Sequence, residues 1–371
     1  HIFLCQKEIT ALTYSLTFKY LKMKISKILT LVLAGTLLFN ISCRNDDPIP
    51  APTPKGAYEN GILIANEGGF LTPTASVSFI SNDLSKLENN IFTTNNSNAV
   101  LGNVFQSVGF KGDNAFLVTN VPNKIEIVNR YTFKKTGTIT ANLNEARYIA
   151  FSGNNTYVTN NNFFDVRKVN IYDNSNAFVK SINFDRYAEK IVSADGFVYV
   201  QTDGVTYDAN YNELPTGHTI SRINPATNNV DKTITLTDDT IIRDMIADNS
   251  NVYVLSSDYS NSYIYKIDAK TGTAAQTKLA GVSGALKLAV DNGKIYFLTS
   301  GKKLYSYNGT AATAMFDVTT SNVYGFNVID DKVFVSDPSF SKDNDVRIYN
   351  LSGNLLKTIT TGIGTNGFYK N

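Results

Sequence analysis

The chain has 371 residues, 43% of them apolar, which is the ordinary composition of a globular protein with a large core. It holds 34 basic and 32 acidic residues; five lysines and one glutamate lie in residues 1–43, which leaves residues 44–371 with 29 basic, 31 acidic and a net charge of −2. Without a basic run we expect no nucleic-acid partner, and a single histidine (His218) after residue 43 argues against His-based metal centres and Ser-His-Asp or Cys-His catalysis.

The N-terminal region is typical of an export signal rather than a folded element. Residues 1–22 precede Met23 and are predicted to be upstream sequence read in frame, so they are excluded from fold reasoning. Residues 23–43 combine two early lysines, an apolar run over 28–39 and a terminal Cys43. The run is too short to span a membrane comfortably, so we predict a lipoprotein signal peptide with Cys43 as the lipidated residue.

Residues 44–57 are predicted to form a semi-rigid tether, because Pro48, Pro50, Pro52 and Pro54 alternate with other residues. Asp46 and Asp47 follow Cys43 closely, and this acidic pair resembles the surface-export signal of Bacteroidetes-type lipoproteins. The expected location is therefore the outer membrane, lipid-anchored and exposed at the cell surface. A polar tether that faces the periplasm is the alternative.

A short apolar phrase ending in small or polar residues recurs seven times after residue 57. The copies are Leu63-Ile64-Ala65-Asn66, Leu117-Val118-Thr119-Asn120, Tyr157-Val158-Thr159-Asn160, Tyr199-Val200-Gln201-Thr202, Tyr253-Val254-Leu255-Ser256, Tyr296-Phe297-Leu298-Thr299 and Phe334-Val335-Ser336-Asp337. They begin 54, 40, 42, 54, 43 and 38 residues apart. A period near forty residues is typical of a β-propeller.

The unit after Gly102 shows what each repeat contains. Strands are predicted over Phe105 to Phe110, Ala115 to Thr119, Lys124 to Asn129 and about Lys135 to Thr140, because β-branched and aromatic residues alternate between polar turns. The third strand also recurs seven times. We therefore predict an all-β, seven-bladed β-propeller over residues 58–371, with four-stranded antiparallel blades whose strands are named a to d from the inside outward.

The ring is expected to close through the C-terminus. The first unit begins with its b strand at Ile62, and the last is followed by an unassigned segment over residues 362–369 that resembles the a strand over residues 322–328. The C-terminal segment should supply the missing a strand of the first blade, which would leave no unpaired blade edge. Deletion of residues 362–371 should then unfold the domain.

The predicted ligand-binding surface is the face formed by the b–c and d–a loops. The a–b and c–d turns on the other face are short and generic, whereas the b–c loops vary in length and are rich in Asn and aromatic residues, a composition typical of binding surfaces. Its candidate residues are Asn66, Phe70, Asn120, Arg147, Asn160, Phe163, Phe164, Arg186, Tyr187, Tyr207, Tyr211, Arg243, Tyr259 and Phe340. The alternative is that these aromatics fold back to cap the blades. We predict no catalytic residue, no metal site and no cofactor.

The phrase Tyr157-Val158-Thr159-Asn160 gives its name to the YVTN family of propeller repeats. Residues 61–68, 106–108 and 123–128 resemble the YncE-like surface-lipoprotein branch of that family in Bacteroidetes. Some members of this branch capture cobalamin and pass it to a TonB-dependent outer-membrane transporter. The resemblance implies a non-enzymatic solute-capture role, with a corrinoid as the first candidate and such a transporter as partner.

Two other functions remain open at this point. One is a structural or adhesive surface protein that binds a protein or a glycan. The other is a propeller enzyme of lyase or lactonase type, which would need convergent carboxylates or a metal at the mouth of the central channel. Fold alone does not decide among the three.

Overall fold

A computed structural model describes residues 53–371, and the predicted signal peptide, the predicted lipidation site Cys43 and most of the predicted tether lie outside this range. In the described part, seven four-stranded antiparallel sheets form the blades of a propeller. This confirms the predicted fold class. The four strands predicted for blade 2 are also confirmed, with bounds that differ by at most two residues.

Each blade is given with its strands in chain order. Blade 1 contains β1 (Gly61–Asn66), β2 (Ser76–Ser81), β3 (Leu87–Glu88) and β30 (Thr365–Lys370). Blade 2 contains β4 (Val104–Lys111), β5 (Asn114–Val121), β6 (Asn123–Asn129) and β7 (Lys135–Ile139). Blade 3 contains β8 (Ala146–Ser152), β9 (Asn155–Asn161), β10 (Arg167–Tyr172) and β11 (Phe178–Asn183).

The remaining blades follow the same order. Blade 4 contains β12 (Ile191–Ala194), β13 (Phe197–Gln201), β16 (Thr219–Asn224) and β17 (Asn229–Thr235), and a separate hairpin of β14 (Val205–Tyr207) and β15 (Glu213–Pro215). Blade 5 contains β18 (Ile241–Ala247), β19 (Asn251–Ser257), β20 (Ser262–Asp268) and β21 (Ala274–Lys278). Blade 6 contains β22 (Ala285–Asp291), β23 (Lys294–Thr299), β24 (Lys303–Tyr307) and β25 (Ala312–Asp317). Blade 7 contains β26 (Phe326–Ile329), β27 (Lys332–Asp337), β28 (Asp343–Asn350) and β29 (Leu355–Ile363).

Helix is almost absent from the described residues. One short helix, α1 (Ile91–Asn95), follows β3 and buries Ile91 and Phe92. No helix within residues 53–371 has the length and apolar character needed to cross a bilayer.

The recurring phrase lies on the b strands because these strands are buried on both sides. Successive side chains of a strand point to opposite faces, so Tyr157 of β9 packs toward blade 4 and Val158 toward blade 2. Both side chains are fully buried. Burial of each such side chain contributes about 1.5–3 kcal/mol, which explains why an apolar run, rather than an alternating one, marks every blade.

The C-terminal strand closes the ring, as predicted. β30 pairs antiparallel with β1, with Leu63 opposite Tyr369 and Ile64 opposite Phe368. The Thr365 hydroxyl donates a hydrogen bond to Asn66 Oδ1 at 2.7 Å. Phe368 is 2% exposed in the core between blades 1 and 7, so the last strand is part of the packed interior.

The ring has two different faces. We call the side with the a–b and c–d turns the turn face, and the side with the b–c and d–a loops the loop face. In blades 2 to 7 the a–b turns have two residues, or three in blade 5. Both central residues have positive φ in blades 4, 6 and 7, at Asp195-Gly196, Asn292-Gly293 and Asp330-Asp331. Such residues match the tight turns that suit the twist of antiparallel strands.

The b–c connections of the loop face are far more variable. One residue joins β5 to β6 in blade 2, whereas seventeen residues, which include the hairpin β14–β15, join β13 to β16 in blade 4. Variation of this kind is tolerated in loops on a rigid scaffold.

Candidate binding site at the mouth of the central channel

The a strands surround a central channel that opens on the loop face through a cavity of about 330 Å³. Its walls are mainly polar and charged, and include Glu67, Gln106, Arg147, Tyr148, Tyr187, Glu189, Lys190, Gln201, Arg243, Lys287, Tyr324, Asn366 and Tyr369. A second cavity of about 350 Å³ continues along the channel and shares Lys190, Lys287, Tyr324, Asn366 and Tyr369 with the first. We call the first cavity the channel mouth.

Bulges at the start of the a strands supply much of this lining. In five blades the register with the b strand shifts by one or two residues near the first residues of the a strand. The a-strand residues left without a b-strand partner all line the channel mouth: Asn366, Gln106, Arg147, Tyr148, Arg243 and Leu286. A bulge re-aims side chains away from the sheet, which here directs them into the channel.

Blade 4 reaches the same result just before its a strand. The Glu189 N–H donates to the Gln201 carbonyl at 3.1 Å, and the Gln201 N–H donates to the Lys190 carbonyl at 2.8 Å. Two residues thus face one residue of the b strand, as in a bulge. Glu189 and Lys190 enter the channel mouth from this position.

Arg147 and Glu189 form the best-defined ion pair of the site. The guanidinium donates to both carboxylate oxygens of Glu189 at 2.7–3.1 Å, and Asn161 Nδ2 donates to the same carboxylate at 3.3 Å. Burial lowers the pKa of Arg147, but the charge and hydrogen bonds of Glu189 outweigh it and hold the pKa above its ordinary value. The ring of Phe163 lies 5.0 Å from the guanidinium carbon and adds a cation–π contact.

Glu67 is held on the opposite side by uncharged donors. The Tyr324 hydroxyl and Asn366 Nδ2 both donate to Glu67 Oε2. Burial, reinforced by the Glu67 charge, raises the pKa of Tyr324, so its hydroxyl stays protonated and remains a donor. The ring of Phe340 packs edge-on against Tyr324 with a centroid separation of 5.4 Å.

The structure brings five of the residues predicted from sequence to the channel mouth. Arg147, Tyr187 and Arg243 line it. Phe163 lies over Arg147 and 5.6 Å from the Tyr187 ring, and Phe340 packs on Tyr324. Aromatic side chains from b–c loops therefore border a polar opening.

Five further predicted residues lie exposed in b–c loops: Phe70, Phe164, Tyr207, Tyr211 and Tyr259. Within residues 53–371, fourteen large apolar side chains are exposed, and nine of them lie in b–c loops. One more is in a d–a loop, four are on outer d strands, and none is in an a–b turn. The exposed apolar surface is thus concentrated on the loop face.

The four other predicted residues are not at the channel mouth. Asn66 and Asn160 are fully buried, and their side chains hydrogen bond within the fold, to Ser78 at 2.9 Å and to the Val158 carbonyl at 3.0 Å. Asn120 is also buried, within β5 near its C-terminal end. Arg186 instead forms a bidentate pair with the buried Asp203 at 2.6 and 2.8 Å.

Sequence reasoning missed most of the polar lining. The missed residues are Glu67, Gln106, Glu189, Lys190, Gln201, Lys287, Tyr324, Asn366 and Tyr369. A signal did exist: a polar residue stands shortly before the apolar core of several a strands, at Gln106, Arg147, Lys190, Arg243 and Lys287. The bulges that turn these residues inward depend on register between strands.

The carboxylates of the channel are separately engaged. Glu189 pairs with Arg147, Glu67 accepts from Tyr324, and Asp244 accepts from the Leu288 N–H at 2.8 Å. No group of three or more His, Cys, Asp or Glu side chains with metal-site geometry occurs among the described residues. Besides these engaged carboxylates, the channel mouth contains cationic groups, hydroxyls and amides around a cavity that aromatic rings border.

Comparisons with known proteins agree with the propeller architecture. A family model described as a domain of unknown function (DUF5074) matches residues 60–199. No curated protein sequence matches the chain. A quinoprotein alcohol dehydrogenase-like protein from Bacteroides thetaiotaomicron has a similar structure, with a TM-score of 0.62, 13% identity, and coverage of 84% of this chain and 78% of the other.

Two further solved structures show the same likeness. A protein from Lactobacillus plantarum has a TM-score of 0.59 and 12% identity, with coverage of 84% and 99% of the two chains. BamB from Moraxella catarrhalis has a TM-score of 0.52 and 16% identity, with coverage of 84% and 86%. At these identities the likeness concerns the fold: the chain is a β-propeller.

Proposed function

We propose that this protein is a non-enzymatic binding protein that captures a bulky solute on its loop face. The observation that carries the proposal is the concentration of exposed apolar side chains in the b–c loops, around a channel mouth lined by polar groups. In ligand-binding sites, aromatic side chains usually provide contact area at low entropic cost, and a few fixed polar groups set the orientation of the ligand.

The size of the cavity indicates how such a solute would bind. About 330 Å³ accommodates one part of a large molecule, and the remainder would lie across the aromatic loops. Phe163 and Phe340 border the opening, while Tyr211 and Tyr259 extend into solvent. A closed ring holds these groups in place before the ligand arrives, so little ordering cost is incurred on binding.

A corrinoid is our first candidate for the solute. The resemblance to YncE-like YVTN surface lipoproteins of Bacteroidetes motivates it, and the match to a Bacteroides structure supports the fold on which that resemblance rests. In this proposal Cys43 carries the lipid that anchors the protein to the outer membrane. The anchor and the Pro-rich tether would keep the propeller near a TonB-dependent transporter and raise the effective concentration of captured solute.

Calorimetric titration of the purified protein with cobalamin tests the proposal. Wild type should bind one equivalent, and a triple variant with F163A, Y211A and Y259A should bind at least tenfold more weakly, about 1.4 kcal/mol. The control is V179A, L355A and L356A, which removes exposed apolar side chains from outer strands. No binding by wild type would contradict corrinoid capture, and equal losses in both triple variants would contradict the loop face as its location.

The lipid anchor has its own test. Metabolic labelling with a fatty-acid analogue should mark the wild-type protein and leave Cys43→Ala unlabelled. Digestion of intact cells with an added protease should then remove the propeller if it faces outward. Labelling of the Cys43→Ala variant would contradict the anchor, and protection from protease would favour the periplasmic orientation.

Attachment to a glycan or a protein is the second candidate, and one feature favours it. The hairpin β14–β15 extends blade 4 on the loop face and exposes Tyr207, Tyr211 and Leu214. A macromolecular partner could use this surface without entering the channel. Binding to immobilised surface glycans that is lost in Y207A/Y211A, while cobalamin fails to bind, would favour this function.

A further inference from the structure

The cations of the channel are not equally neutralised. Three of the four that line the channel mouth have a carboxylate partner: Arg147 with Glu189, Lys190 with Asp244, and Arg243 with Glu213. The fourth, Lys287, has no carboxylate oxygen within 4.0 Å and no side-chain hydrogen bond among the residues that the structure describes. It lines both channel cavities.

Lys287 stands at the start of β22, directly after the bulged residue Leu286. The charges of Lys190 and Asp244 both act on Lys287, but the Asp244 carboxylate already has other partners. The Asp244 carboxylate accepts the Leu288 N–H at 2.8 Å and the Met245 N–H at 3.0 Å, and Lys190 lies 3.5 Å away. The ammonium of Lys287 is therefore left without a counterion of its own.

The surroundings make this an unfavourable position for a free cation. Lys287 is half-buried and lines both cavities of the channel. Burial, together with the positive charge of Lys190, lowers the pKa of Lys287 below its usual range. A partly desolvated charge without a partner costs free energy, and a ligand that brings the opposite charge would recover it.

Tyrosine hydroxyls, which can donate hydrogen bonds, belong to residues that line the same cavity as Lys287. The channel mouth contains the hydroxyls of Tyr148, Tyr187 and Tyr369. Burial raises the pKa of Tyr369 to about 12, so this hydroxyl stays protonated near neutral pH and can donate to an anion. A cation with neighbouring O–H donors is a suitable arrangement for carboxylate or phosphate oxygens.

We propose that the channel mouth binds an anionic oxygen group of the captured solute, with Lys287 as its counterion. The inference rests on the proposed function, because the same mouth and aromatic rim would hold the rest of the molecule. The solute is then amphipathic: an apolar or aromatic body lies on the loops, and a carboxylate or phosphate enters the channel. Lys287 selects for charge, whereas the aromatic side chains select for size and shape.

Titration of the purified protein with inorganic phosphate and with citrate, at matched ionic strength with chloride as control, tests the proposal. Both calorimetry and the thermal unfolding midpoint should report binding to wild type. Lys287→Met should weaken binding at least tenfold, and Lys287→Arg should restore most of it because the charge is kept. Lys266→Met, which removes an exposed lysine on β20, should leave binding unchanged. The stronger of the two anions identifies the group that the site takes.

A second readout separates binding from folding. Without an added anion, Lys287→Met should unfold at a higher temperature than wild type, and saturating anion should reduce or abolish that difference. If Lys287→Met folds poorly, Lys287→Gln serves the same comparison. Absence of anion binding by wild type, or equal binding by Lys287→Met, would overturn the inference.

The outcome also distinguishes this inference from the proposed function. Cobalamin binding that does not depend on Lys287, with no anion binding, would reject the anion site and leave solute capture in place. Lys287-dependent anion binding without cobalamin binding would reject the corrinoid and retain the site for another amphipathic anion.

Discussion

The turn face and the loop face are built from the same seven blades, yet different requirements govern their sequences. On the turn face, two residues often join the strands, and positive φ values at residues such as Asp195 and Gly196 restrict what can stand there. On the loop face, connections run from one residue to seventeen, and exposed aromatics accumulate. The difference indicates that backbone geometry restricts the sequence of the turn face. The sequence of the loop face is not restricted in this way and can vary with the ligand.

Ring closure is common to both faces, and its loss should have the largest effect. Deletion of residues 362–371 removes β30, its pairing with β1 and the buried Phe368. We expect the cooperative unfolding transition to disappear, as measured by circular dichroism during heating. The milder Phe368→Ala should cost about 3–5 kcal/mol, whereas the exposed Leu355→Ala should have almost no effect. A native-like transition in the deletion variant would contradict closure through the C-terminus.

Ion pairs should differ in value between the faces. Arg147→Met leaves Glu189 buried without its partner at the channel mouth and should destabilise the protein by about 3–5 kcal/mol. Lys370→Met breaks the more exposed pair with Asp330 in an a–b turn, and should cost about 1 kcal/mol or less. Urea denaturation measures both. Equal losses would mean that the channel mouth is as well solvated as the turns.

Acidic pH should destabilise the protein at Asp203, just before the hairpin β14–β15 of blade 4. Burial raises the pKa of Asp203, but hydrogen bonds from Arg186, Thr219 and Thr216 outweigh it and hold the pKa below 3.8. A carboxyl group whose pKa is depressed by folding stabilises the fold at any pH above its ordinary, unfolded-state pKa. This contribution is lost as the pH falls through the folded-state pKa. Stability should therefore fall below about pH 4, and Asp203→Asn should show a shallower fall in urea denaturation between pH 5 and pH 3. An unchanged slope would contradict the assignment.

The smallest effects should have opposite signs on the two faces. Gly196 has a φ of +79° in an a–b turn, so Gly196→Ala should destabilise the protein by about 1 kcal/mol. Tyr211 has a φ of +62° while its side chain is 87% exposed, so Tyr211→Gly should stabilise it by about 0.5–1 kcal/mol. The same Tyr211 variant should bind cobalamin more weakly. Thermal unfolding measures the stability, and titration measures the affinity for cobalamin. A Tyr211→Gly variant that lost stability would contradict backbone strain at this position, and one that kept full affinity would contradict a binding role.

The sequence was sufficient to predict the fold because the signals that define it are local. Alternation in blade 2, the recurring apolar phrase at Tyr157 and the turn at Asp195-Gly196 each describe a few adjacent residues. Even closure could be inferred, because residues 362–369 resemble an a strand. The alternation, the recurring phrase and the turn all follow from side-chain alternation and turn conformation, which adjacent residues determine.

The candidate site could be predicted only in part. Exposed aromatics such as Tyr259 follow from loop composition, but Lys190 and Lys287 meet only after the ring has closed and after bulges have shifted the a strands. Asn66 and Asn160 were predicted to contribute to the loop face. Both lie at the ends of b strands instead, where their side-chain amides form buried hydrogen bonds within the fold. Register and long-range closure are properties that single-sequence patterns do not carry.

Amide hydrogen exchange with and without cobalamin tests most directly whether solute is captured on the loop face at the channel mouth. We expect slower exchange in peptides that contain the b–c loops around Phe163 and Tyr259 and the first residues of β8 and β22. Exchange at the a–b turns, such as Asn292-Gly293, should not change. Protection confined to the turn face, or no protection at saturating cobalamin, would rule out capture of cobalamin on the loop face.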